Sequence, residues 1–65
     1  MIVYEVIVQD KEYYRTQFSQ LYKNKKTAED CKLALEDGTI IFQEEIMVED
    51  YDSWFSIFIK ERQVF

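Results

Sequence analysis

The side chains that carry most protein chemistry are scarce in this sequence. Histidine is absent, and cysteine occurs once, at Cys31. Imidazole acid–base chemistry, Cys–His nucleophiles and zinc sites of the Cys/His type are thereby excluded. Phosphate-cradling loops and dinucleotide fingerprints need several glycines, and Gly38 stands alone. What remains is carboxylate. Glu44, Glu45, Glu49, Asp50 and Asp52 crowd one stretch. Asp50, Asp52 and Glu61 stand at the first, third and twelfth positions of a calcium-binding EF-hand loop. The sixth position requires glycine and is Phe55, and the fifth is Trp54. The spacing therefore predicts no calcium site. A carboxylate pair doing acid–base work needs a pocket to separate its pKa values, and a chain this short has little room for one. The acids read as a solvated hairpin tip.

Lys23, Lys25 and Lys26 form the one basic cluster. The chain around them carries 13 acidic and 8 basic residues, a net charge of −5. Nucleic-acid binding relies on Lys and Arg to displace counterions, so no direct nucleic-acid partner is expected. Anionic membrane surfaces are excluded on the same ground. No apolar run approaches the roughly 18–20 residues of a membrane span. The opening Met1-Ile2-Val3-Tyr4-Glu5 lacks the basic start and long apolar core of a secretory signal. These features predict a cytoplasmic protein with a reduced thiol, and a complete small reading frame. No cofactor or metal is expected.

These residues must be carried by one small domain spanning 1–65. A core of this size rarely leaves more than ~3–5 kcal/mol of net stability without a staple. A lone cysteine provides no internal disulfide. Packing or association must compensate, and 48% hydrophobic with 17% aromatic residues suits both.

Alternation predicts a strand over Ile2–Gln9 and a second over Tyr13–Gln20. A connection at Asp10–Glu12 would place Val8 by Tyr14, Val6 by Thr16 and Tyr4 by Phe18. That loop wants a left-handed residue and contains no glycine. Leu21–Lys26 reads as a loop. Thr27 is then the expected cap of a helix over Ala28–Glu36, with Asp30 completing a capping box and Gly38 as its left-handed terminator. Ala28, Cys31, Ala34 and Leu35 form the apolar stripe, and Cys31 reads as a small core hydrophobe. Thr39–Glu49 and Trp54–Arg62 alternate as a second hairpin, joined by a turn at Asp50–Ser53. The predicted fold is α+β, a ββαββ chain forming a four-stranded antiparallel sheet with one helix on one face.

The face toward the helix would hold Ile2, Tyr4, Val6, Val8, Tyr14, Phe18, Ile40, Phe42, Ile46, Val48, Phe55, Ile57 and Ile59, much of which one three-turn helix can cover. The opposite face would hold Val3, Ile7, Tyr13, Ile41, Met47, Trp54 and Phe58 among polar residues. A sheet face meant for water alternates more cleanly than this. Large exposed apolar patches mark interaction sites. The expected function is a non-catalytic protein-interaction module, an inhibitor or adaptor, docking by that face onto a protein partner or a second copy. The competing cover for the face is the tail Gln63-Val64-Phe65 or the Leu21–Lys26 loop. The alternative function is acidic mimicry of nucleic acid through Glu44, Glu45, Glu49, Asp50 and Asp52, by analogy with small bacteriophage inhibitors.

Overall fold

A computed structural model describes residues 1–64. Strand β1 (Ile2–Asp10) and strand β2 (Thr16–Tyr22) are followed by helix α1 (Lys25–Asp37). A single 3₁₀ turn at Val48–Asp50 leads into the short helix α2 (Tyr51–Trp54), which runs into strand β3 (Phe55–Gln63). The strands form one antiparallel sheet in the order β2-β1-β3. The fold is α+β as expected. The sheet has three strands rather than four, and the element order departs from ββαββ.

Strand β1 is central because it is the richest in β-branched residues, and it carries apolar side chains on both faces. Its even positions Val6 and Val8 are fully buried beneath Ala28, Cys31 and Leu35 of α1. Val8 lies opposite Phe18 and Ile57, and Val6 opposite Gln20 and Ile59. The β1–β2 pairing has thus slid by four residues from the expected one. An even slip preserves which face each side chain takes. Phe18 therefore still faces the helix, Tyr22 joins it there opposite Tyr4, and Tyr14 drops into the turn. Val8 faces Phe18 while Gln9 faces Thr16, so Gln17 is the extra residue of a β-bulge.

Helix α1 begins a turn earlier than Thr27. Asn24 is the cap, and its side-chain oxygen accepts from the Lys26 N–H at 2.8 Å. Asparagine is the stronger capping residue, and using it adds most of a turn to the helix. The helix ends as expected at Gly38, whose φ of 85° lies in the left-handed region. A Cβ there would come within 2.6 Å of the Val48 side chain, so the position also requires the smallest residue. The Ile40 N–H closes the end by donating to the Ala34 carbonyl at 3.0 Å.

The expected strand Thr39–Glu49 is not formed. Its inward alternation nonetheless holds, since Ile40, Phe42, Ile46 and Val48 all pack against the core. Tyr51 is what displaces the hairpin. Expected at an exposed tip, it is 2% exposed in the core, and its hydroxyl donates to the Gln43 carbonyl at 2.8 Å. Its ring stands 4.7 Å from Phe42 and 5.9 Å from Phe55, and Phe42 meets Phe55 edge-on at 5.0 Å. Such tilted and edge-on pairs add to the area that the rings bury. A hairpin tip at Asp50–Ser53 would forfeit this cluster.

The described part of the tail, Gln63 and Val64, does not fold over the sheet. Gln63 pairs with Ile2, and the Val64 N–H donates to the Met1 carbonyl at 2.8 Å, so the described chain continues β3. Phe65 lies outside the described residues. Leu21 and Tyr22 belong to β2, which removes the loop from the same role. Among the described residues no helix is long and apolar enough to cross a membrane.

Candidate functional site

The sheet face away from α1 carries Val3, Glu5 and Ile7 of β1. Leu21 and Ser19 of β2 flank them on one side, and Arg62, Lys60 and Phe58 of β3 on the other. Val3 is 9% exposed and Ile7 only 6%. A central strand is shielded by the rows on both sides, even with no layer of described residues above it. Charge completes the shielding. The Arg62 side chain reaches from the row of Val3 to Glu5 and donates Nε–H to its carboxylate. The Ser19 hydroxyl donates to the same carboxylate. These contacts, the Ser19 hydrogen bond foremost and Arg62 next, hold the Glu5 carboxyl below its ordinary value. The face is a polar-framed apolar strip, and far less of it meets water than the sequence suggests.

Of the seven residues expected on this face, the structure brings Val3, Ile7 and Phe58 together. Tyr13 lies in the β1–β2 turn, Ile41 and Met47 in the irregular stretch before the 3₁₀ turn, and Trp54 at the end of α2. Ile41, Met47, Tyr13 and Trp54 are all exposed.

Tyr13 and Trp54 belong to a different assembly, at the end of the sheet where β1 stops and β3 starts. Asp10 organises the turn there. One carboxylate oxygen accepts from the Tyr13 N–H at 2.5 Å, and the other accepts from the Arg15 N–H at 3.3 Å and Gln17 Nε2 at 3.2 Å. The Asp10 carboxyl is held below its ordinary value, chiefly by the Tyr13 N–H. The Asp10 N–H donates to the Arg15 carbonyl at 3.0 Å, and the Tyr14 N–H donates to the Asp10 carbonyl at 3.1 Å. Closing the turn this way puts Tyr14 at φ 58°, the left-handed region that glycine normally fills. The Arg15 guanidinium lies 5.0 Å from the centre of the Tyr13 ring.

This turn is tied to the α2–β3 junction. The Lys11 N–H donates to the Trp54 carbonyl at 2.9 Å, and the Lys11 ammonium donates to the Asp52 carbonyl. The tie gathers Tyr13, Tyr14 and Trp54 at one end, 64%, 74% and 54% exposed. Sequence reasoning does not single out Tyr14 and Arg15 as contact residues. The missing glycine in the turn is the available signal, since it forces a bulky residue into the left-handed position.

From this end a groove of about 600 Å³ runs beside the outer edge of β3. Residues 55–58 line it consecutively, although their side chains alternate between faces, so it follows the strand edge itself. Glu36, Glu49, Asp52 and Lys11 also line it.

The five acids of the mimicry reading are all exposed and are divided among three segments. Glu44 and Glu45 sit in the irregular stretch, Glu49 and Asp50 in the 3₁₀ turn, and Asp52 in α2. Among the described residues no group of three or more Cys, Asp or Glu converges to hold a metal ion. Lys25 and Lys26 fall in the first turn of α1 rather than a loop, and Lys26 pairs with Asp30 at 3.2 Å. Cys31 is buried beside Tyr22, whose phenol is pushed up by a hydrogen bond with the thiol and by burial. No family model, no curated protein and no solved structure matches this chain.

Proposed function

We propose that this chain is a non-catalytic protein-interaction module whose contact surface is the aromatic end of the sheet, working in the cytoplasm as an inhibitor or adaptor. The observation that carries the reading is the turn at Tyr13-Tyr14-Arg15, fixed against Trp54 and held in a strained backbone conformation. Tyr, Trp and Arg are the residue types that dominate interface energetics when a partner desolvates them. Strain at a bulky left-handed residue persists only where surrounding contacts impose it, and such strain clusters at binding sites. Here the Asp10 hydrogen bonds impose it. The middle of the open face is a weaker candidate, because Val3 and Ile7 are already buried within the single chain. The driving force for a second copy to dock on that face is correspondingly small.

Photocrosslinking tests this reading. A benzoylphenylalanine placed at Tyr14 or at Trp54, in cells that make the protein, should yield an adduct of one discrete mass. The same group at Leu33, exposed on α1, should yield none. Crosslinking of the purified protein separates self-association, which gives a product near twice 8.0 kDa. Equal, diffuse labelling from all three positions would sink the interaction reading.

A further inference from the structure

We propose that the groove beside β3 receives an extended, lysine- or arginine-bearing segment of a partner protein, which adds to the sheet as a further strand. This deepens the interaction reading above and rests on it. Three observations converge. Among the described residues the sheet order leaves β3 with an outer edge that no other strand occupies. An edge strand directs unpaired N–H and C=O groups outward, and extended peptides use them for recognition. Proteins guard such edges with charge, and the last residues of β3 are guarded by Lys60, Glu61 and Arg62. Residues 55–58, beside the groove, carry no charge at all. The unguarded part of the edge and the groove coincide.

Charge selects the occupant. Glu36, Glu49 and Asp52 line the groove against a single cation, Lys11, whose ammonium is directed to the Asp52 carbonyl. Glu36 already shares Lys32 at 2.5 Å. Among the described residues neither Glu49 nor Asp52 has a cation within ion-pair distance. A second copy carries the same net charge of −5, so its approach to this edge is opposed by like-charge repulsion. A segment with cations at alternate positions would instead set them beside Glu49 and Asp52, with its backbone on β3. Its end would reach the Trp54 and Tyr13 surface, which is continuous with the groove through Lys11.

The test uses two blocked octapeptides, one alternating Lys and Val, the other alternating Glu and Val. A third peptide repeats the Lys–Val sequence with every backbone nitrogen methylated, so that neither edge can donate. Binding is followed by calorimetry and by amide resonances of the full chain. The Lys–Val peptide should bind and shift Lys11 and residues 49–58, with new exchange protection in residues 55–58. The Glu–Val peptide should not bind, and equal binding by it would overturn the charge selection. Methylation should weaken the Lys–Val peptide at least about tenfold, because its backbone donors are lost on both edges. Glu49→Lys with Asp52→Lys should weaken it by about tenfold. Equal binding by the methylated peptide would reduce the effect to loose charge attraction and overturn strand addition. So would shifts confined to other surfaces, or no binding. So would protection of residues 55–58 in the free protein with cross-strand contacts to Ile46 and Val48, because the chain would then fill its own edge. If crosslinking from Trp54 succeeds while these peptides fail, the interaction reading stands and strand addition falls. If both fail, both are wrong.

Discussion

Replacing Tyr14 by glycine should make the protein more stable. A non-glycine residue in the left-handed region costs about 1–2 kcal/mol. Glycine relieves that cost but gains freedom in the unfolded chain, which returns about 0.5–1 kcal/mol. The Tyr14 ring is 74% exposed, so little packing is lost with it. The balance is a gain of about 0.5–1 kcal/mol, or roughly 2–8 °C in Tm for a domain of this size. Tyr14→Ala is the decisive control. It removes the same ring but keeps a Cβ, so the strain remains and stability should barely change. Urea unfolding followed by tryptophan fluorescence and circular dichroism provides both numbers, with unchanged slopes confirming that only stability moved. If the Tyr14→Gly and Tyr14→Ala variants unfold at the same urea concentration, the turn is not strained at this residue. The interaction reading then loses the observation that carries it. If the glycine variant is more stable and also loses its crosslinked partner, a stability cost is being borne for binding.

Three further outcomes follow from other parts of the fold. Asn24→Ala should cost about 1 kcal/mol in the same urea assay, whereas Thr27→Ala should cost much less; the reverse order would restore the cap to Thr27. Tyr51→Phe should leave the Gln43 carbonyl without its partner and cost about 1–3 kcal/mol; a neutral result would mean that water replaces the hydroxyl. Glu5, Asp10 and Asp37 all titrate below their ordinary values, the last chiefly through the Thr39 hydroxyl. A depressed folded pKa contributes stability that is complete above the unfolded value and is lost as pH falls through the folded one. Stability should therefore decline as pH drops below about 4.5, the ordinary value for Glu5, and Glu5→Gln should flatten part of that slope. A stability profile rising toward low pH would contradict all three assignments.

Much of the fold is legible in the sequence because it rests on alternation. The period of two in Ile2–Gln9 and in Phe55–Ile59 assigns Val6, Val8, Phe55, Ile57 and Ile59 to the helix side, where they lie. Even the stretch holding Ile40, Phe42, Ile46 and Val48 keeps its inward set without becoming a strand. Alternation constrains which side chains are buried, while the backbone path between them is settled by tertiary contacts. Val48, Tyr51 and Phe55 also stand three and four apart, a helical spacing that competes with the strand pattern. The core accepted the helical option because it buries Tyr51. The register of the first hairpin is illegible for a different reason. Slips of an even number leave the facial pattern unchanged, so only turn chemistry distinguishes them, and this turn uses an aspartate network in place of glycine. Of the candidate contact residues, Tyr13 and Trp54 are recognisable by type. Their assembly depends on the Lys11–Trp54 hydrogen bond, which no local pattern encodes.

The central position of β1 has a consequence for how the protein is made. Its partner β3 lies at the far end of the chain, with Ile2 opposite Gln63. At ~5–20 residues per second, synthesis from the end of β1 to the end of β3 takes roughly 3–10 s. During that interval β1 has at most β2 beside it, and an isolated hairpin is marginal in water. Val6 and Val8, which end with no exposure at all, spend those seconds near the ribosome without α2 or β3. A nascent chain stalled before residue 55 is thus expected to be a client of chaperones. Slow codons placed between β1 and the end of β3 would lengthen that vulnerable interval, whereas the same codons placed within β1 would not.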